Sequence, residues 1–197
     1  MMAGTDALSA LMRQAGIRAD TVAATLSIDA LLQRWRRRAV KREIGRLALV
    51  DLGLDLDLAQ LDVLTAIAAP ENEFGGEAGG ETMVSTVAER LAIDPSRASR
   101  LVAEMVAAGH VRRAVSQTDG RRAVVQLTPS GQRVVDAVRA FKFLLLGDFL
   151  NDWSDRDLAA LGRLLARFSA WTEEAPARRA KFAAEIEAIR IGLANGD

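Results

Sequence analysis

The segment that most constrains this chain is Asp119-Gly-Arg-Arg-Ala-Val-Val-Gln-Leu-Thr-Pro-Ser-Gly131. Asp-Gly between two apolar stretches is a tight-turn signal, because such turns need backbone angles that glycine adopts at no steric cost. Residues 111–115 and 124–127 flank it as short apolar strands, so the run reads as a hairpin tipped with Arg121 and Arg122. Thr128-Pro129 then supplies a helix cap and a first-turn proline, which launches a new helix. Asp119 is expected to cap the turn and to orient Arg121 through an ion pair.

Residues 85–108, directly before the hairpin, read as a helix-turn-helix. A short helix at 87–91 is followed by three turn residues, then by Asp94-Pro95 as cap and first helical position. Ala98, Leu101, Val102 and Met105 recur at i, i+3, i+4 and i+7, the spacing of a core-facing stripe. Ser96, Arg97 and Arg100 fall on the opposite face and Ser99 at its edge. All four lie in the first two turns, the part of a recognition helix that meets base edges. Arginine pairs bidentately with guanine and serine bonds either base-edge donors or acceptors. An arginine at the hairpin tip suits a minor groove, where narrow A·T tracts concentrate negative potential.

Charge is distributed to match. The chain balances 26 basic against 26 acidic residues, yet residues 95–122 hold Arg97, Arg100, Arg112, Arg113, Arg121 and Arg122 against Glu104 and Asp119, six minus two, or +4. A local basic face on a neutral chain fits a specific double-stranded DNA reader better than a general polyanion binder. There is no cysteine, so disulfides, thiol catalysis and thiol sensing are excluded, and a lone histidine, His110, excludes a multi-histidine metal site within one subunit. No cofactor-binding motif and no nucleophile–base set is present, so the chain is not expected to be an enzyme. The first residues lack a signal-peptide core and the longest apolar run is far too short to span a membrane, so a soluble cytoplasmic protein is expected.

Along the chain, residues 1–24 read as an N-terminal extension. One long helix is expected over about 25–51, stopped by Gly53, within a dimerisation helix segment 25–54. Asp57 with Gln60 forms a capping box that opens the winged helix-turn-helix part, 55–127. Residues 70–81 form an acidic, glycine-rich loop. Residues 128–175 hold further dimerisation helices, one opened by the capping box of Ser154 and Asp157. Pro176 is expected to start an extra C-terminal helix over 176–197. The fold class is therefore mainly α with a small β-hairpin: a winged helix-turn-helix flanked by dimerisation helices.

These residues resemble the MarR family of bacterial transcriptional regulators. The family's wing pattern, Asp-x-Arg, five residues, Leu-Thr-x-x-Gly, is met by Asp119, Arg121, Leu127, Thr128 and Gly131. Ser99-Arg100-Leu101-Val102 matches the recognition helix, and Ala108-Gly109-His110-Val111 its exit. The helix order matches over roughly 27–172. The resemblance implies a homodimer on pseudo-palindromic DNA, most often a repressor, released by a small aromatic or anionic effector. Three departures stand out: Ala92 replaces the glycine common in the helix-turn-helix turn, the 70–81 loop is longer and more acidic, and the tail runs past Trp171.

The first long helix crowds seven basic residues between Arg34 and Arg46 among apolar ones. Most simply this is a charged helix packing on a partner subunit. A sharper reading places Trp35 and Arg38 in an effector pocket, since tryptophan stacks on rings and arginine binds carboxylates. The expected function is a ligand-responsive repressor that binds its operator as a homodimer. The alternative is a winged-helix protein-interaction module without specific DNA binding.

Overall fold

The computed structural model describes residues 2–68, 81–117 and 119–195; of the side chains of 2, 3, 38–41 and 195 nothing is stated. Most of the acidic loop, 69–80, therefore lies outside the described residues. The chain divides into two compact units, residues 1–41 with 150–197, and residues 42–149. Residues 42–54 and 128–149 fall in the same unit as the winged segment.

The 42–149 unit runs α3 (Glu43–Asp51), α4 (Leu58–Ala68), α5 (Val84–Leu91), α6 (Pro95–Ala107), β1 (Val111–Val115), β2 (Ala123–Leu127) and most of α7 (Pro129–Asn151). Local chemistry explains the boundaries. Gly53, at φ 62°, ends α3 and turns the Leu54 N–H back onto the Leu49 carbonyl, a glycine stop of the kind that satisfies terminal carbonyls. The Asp57–Gln60 capping box forms in full: the Gln60 N–H donates to Asp57 Oδ1 at 2.8 Å and the Asp57 N–H to Gln60 Oε1 at 3.0 Å. Gly109, at φ 76°, ends α6. β1 and β2 pair antiparallel with Val111 opposite Leu127 and Val115 opposite Ala123.

One core serves the whole unit. Leu64 on α4, Val87 on α5, Val102 and Met105 on α6, Val111 on β1, Val125 on β2 and Val134 on α7 are all buried in it. Ala98, Val102 and Met105 are the expected inward stripe of α6, with Leu101 partly buried at its margin. Removing such surfaces from water supplies the main driving force for packing these short elements.

The other unit holds α1 (Met2–Gln14), α2 (Ala19–Lys41), α8 (Asp155–Arg179), a 3-10 turn (Ala180–Phe182) and α9 (Ala183–Asn195). Val22 is buried there, but α8 has no buried residue. Leu31, Leu164, Leu165, Phe168, Trp171, Ile189 and Leu193 are exposed apolar side chains.

Three features differ from expectation. The helix expected over 25–51 starts at Ala19 and breaks at Arg42, which adopts the left-handed conformation (φ 54°, ψ 40°) and separates α2 from α3. A non-glycine residue there costs about 1–2 kcal/mol; the Arg42 guanidinium forms an ion pair with Asp62 on α4, a long-range contact that no local pattern announces. Pro176 does not begin the last helix but lies inside α8, which continues to Arg179. Finally, Thr82 forms an isolated antiparallel bridge to Val125, whose N–H donates to the Thr82 carbonyl at 2.8 Å, so the hairpin has a third extended neighbour where a loop was expected to be ending.

Candidate nucleic-acid interface

Asp94 builds the N-terminal end of α6. Its Oδ1 accepts the Ser96 N–H at 2.8 Å, the Arg97 N–H at 3.3 Å and the Ser96 hydroxyl at 2.5 Å. The Ser96 hydroxyl above all, then the two backbone donors, hold the Asp94 carboxyl below its ordinary value. With Pro95 at the first helical position, the first turn is fixed by cap chemistry alone. Ser96, Arg97, Ser99 and Arg100 are all solvent-exposed on this turn and the next, while Ala98 between them is fully buried. The expected division into a core face and an exposed polar face is therefore present in the side chains.

The helix is held from behind. Gln60, after closing its capping box, donates from Nε2 to Glu104 Oε2 on α6 at 3.2 Å. In the turn between α5 and α6, Ala92 adopts φ 50°, ψ 45°, the left-handed conformation that glycine takes freely. The residue departs from the family pattern, yet the backbone keeps the shape that the family's glycine favours.

The wing is tied at its turn. The Asp119 carboxylate accepts the Arg121 N–H at 3.1 Å, the Asp119 carbonyl accepts the Arg122 N–H at 2.9 Å, and the Arg122 carbonyl accepts the Ser116 N–H at 2.9 Å. Asp119 therefore caps the turn as expected. Its ion pair, however, goes to Arg122 Nε at 3.5 Å and not to the expected Arg121. The carboxylate that binds the Arg121 backbone through one oxygen thus pairs with the Arg122 side chain through the other. Arg121 and Arg122 are both exposed, and no carboxylate among the described residues is in ion-pair range of Arg97, Arg100 or Arg121.

The exit of the wing explains the rest of the motif. Thr128 donates from Oγ1 to the Gly109 carbonyl at 2.7 Å and from its N–H to the His110 carbonyl at 2.9 Å, while its Oγ1 accepts the Gly131 N–H at 3.2 Å. A Cβ on Gly131 would lie 2.1 Å from the His110 carbonyl oxygen. Threonine caps α7 and pins it to the end of α6, and glycine permits the close approach.

Two contributors were not legible as functional. Arg90 donates from Nη1 to the Ala66 carbonyl at 2.7 Å and to Thr82 Oγ1 at 3.1 Å, joining the two described ends of the acidic segment. Glu81 accepts the Ser116 hydroxyl and the Gln117 N–H, each at 2.5 Å. Their only sequence trace is a charged residue beside a β-branched pair, Thr82 and Val84. Of the expected effector contacts, Trp35 is 69% exposed on α2, and the Arg38 side chain lies outside the described residues. Among the described residues no cluster of acidic or histidine side chains could hold a metal, and no helix is long and apolar enough to cross a membrane.

A helix pair packed on one core, a polar helix face and a basic hairpin in one packed unit define a winged helix-turn-helix. Residues 54–122 match the model of the MarR family, and the chain carries that family's fold. It is similar to a MarR family protein from Bacillus stearothermophilus, at 19% identity over 76% of this chain and 96% of that one, with a TM-score of 0.61. It is also similar to Streptococcus pneumoniae FabT solved in complex with DNA (15% identity, 76% and 98% covered, TM-score 0.59). A third similar structure is S. aureus MepR bound to ethidium bromide (18%, 70% and 94%, TM-score 0.51). Among curated proteins, none matches the sequence.

Proposed function

We propose that this protein is a homodimeric transcriptional repressor that reads a pseudo-palindromic operator and releases it when a small aromatic or anionic effector binds. The observation that carries the reading is the placement of Ser96, Arg97, Ser99 and Arg100 on one exposed face, in the same packed unit as a wing presenting Arg121 and Arg122. Free guanidinium groups beside exposed serines are the chemistry that reads base edges and phosphates. The similar FabT structure holds DNA and the similar MepR structure holds an aromatic cation. The exposed apolar side chains of α2, α8 and α9 support self-association, since patches of this kind on a regulator mark an interface. The protein works where the DNA is, in the cytoplasm, and carries out no chemistry on its ligands.

In this reading each α6 enters a major groove, with half-sites about one helical turn apart. Arg97→Ala or Arg100→Ala should cost about 1–3 kcal/mol and relax preference at one base pair per half-site. Arg121→Ala should weaken binding most where the flank is A·T-rich, because the wing reads groove width. Binding titrations on operators with A·T-rich and G·C-rich flanks test this. Unchanged affinity for all three variants would remove DNA reading and leave a protein-interaction module. Trp35 and Arg38 sit three residues apart on α2, so an aromatic carboxylate such as benzoate is the effector probe; Trp35→Ala should abolish its effect on DNA release.

A further inference from the structure

We propose that Glu81 and Ser116 are positioning residues for the wing: a carboxylate outside the hairpin fixes one serine hydroxyl, and that hydroxyl fixes the turn carrying Arg121 and Arg122. The inference rests on the DNA-reading function above. Ser116 is 5% exposed and sits where β1 enters the turn. Its hydroxyl donates to Glu81 Oε2 at 2.5 Å and accepts the Asp119 N–H at 3.0 Å. A hydroxyl has one proton to give. Because the carboxylate takes that proton, the serine oxygen is left to face the Asp119 amide as an acceptor.

From Asp119 the chain of contacts continues to both arginines. Asp119 Oδ1 accepts the Arg121 N–H at 3.1 Å, and Oδ2 pairs with Arg122 Nε at 3.5 Å. The second Glu81 oxygen takes the Gln117 N–H at 2.5 Å, so the carboxylate grips the turn at two successive residues. Bonds to an ionised acceptor are the stronger ones, and linked hydrogen bonds polarise and reinforce one another. Glu81 itself is held in place by its neighbour: Thr82 pairs with Val125 on β2 and receives Arg90 at its hydroxyl. The wing is therefore anchored to the body of the unit through this carboxylate as well as through its own strands.

The distinguishing feature of a positioning role is that its loss should act through Arg121. In binding titrations with the full chain, Glu81→Ala and Ser116→Ala should each weaken operator binding by up to the factor lost in Arg121→Ala, with the larger loss on A·T-rich flanks. Adding Glu81→Ala to Arg121→Ala should then cost less than about twofold more, since the two changes remove one function. Glu81→Gln keeps one of the two acceptor oxygens and should fall between wild type and Glu81→Ala, which also guards against a variant that fails to fold. Amide hydrogen exchange without DNA supplies an independent arm: Gln117 and Asp119 should exchange at least about tenfold faster in Glu81→Ala, and Ala98 at its wild-type rate. Additive losses in the double variant, or unchanged exchange at Asp119, would overturn the proposal. If wild-type protein bound no DNA, the functional reading would fail and the exchange arm would still decide the relay.

Discussion

Replacing Gly131 with alanine should loosen the joint between α6 and α7 although glycine in a helix is normally a weakness. A methyl group there would meet the His110 carbonyl oxygen at 2.1 Å and its carbon at 3.0 Å, both backbone atoms that cannot rotate away. Ordinary van der Waals contact begins at 3.4 Å, so the two backbones must part. That same carbonyl accepts the Thr128 N–H at 2.9 Å, and Thr128 Oγ1 holds the Gly109 carbonyl at 2.7 Å, so both bonds lengthen with the shift. Overpacking of this kind costs about 1–3 kcal/mol and each weakened hydrogen bond about 1 kcal/mol. Helix propensity returns about 1 kcal/mol for glycine to alanine, leaving a net loss of about 2–4 kcal/mol. Gly147 lies in the same helix with nothing within 4 Å of its would-be methyl, so Gly147→Ala should gain about 1 kcal/mol from propensity alone. Urea unfolding followed by circular dichroism, at one protein concentration, reads both. A Gly131→Ala variant as stable as wild type, with Gly147→Ala no better, would refute the steric argument.

Ala92 adopts φ 50°, so Ala92→Gly should relieve left-handed strain of about 1–2 kcal/mol, partly offset by a freer unfolded chain; a lower urea midpoint would contradict this. Met105→Ala removes a side chain that is 1% exposed at the centre of the core and should cost about 2–5 kcal/mol by the same assay. Asp94 has its folded-state pKa lowered below the ordinary 3.8, chiefly by the Ser96 hydroxyl, so the stabilisation it provides is present above 3.8 and lost as pH falls through the lower folded value. Asp94→Ala should flatten that acid limb, which stability measured against pH will show. Sedimentation at micromolar concentration should give twice the 21.2 kDa chain mass, and a 21.2 kDa species alone would exclude the dimer.

What the sequence determined by itself was whatever a few neighbouring residues settle among themselves. Asp94 with Ser96, Asp57 with Gln60, Ser154 with Asp157 and Asp119 with Arg121 each close hydrogen bonds within about one turn, so the caps and turns they form are readable from spacing. The inward stripe of α6 was readable for the same reason, since one helical period sets both the buried Ala98, Val102 and Met105 and the exposed face of Ser96, Arg97 and Arg100. The tertiary structure alone decided the rest. Arg42 breaks a helix in a conformation that its own propensity disfavours, and its ion-pair partner Asp62 is on another helix. Pro176 would begin a helix on local preference, yet lies within one. The partner of the Asp119 carboxylate, Arg122 in place of Arg121, depends on side-chain direction around a turn rather than on residue order. Glu81 reaches Ser116 across 35 residues of chain, and Thr82 reaches Val125 across a similar gap. Such contacts form only after the core has brought distant segments together, because the entropy of closing the intervening chain must first be offset by packing.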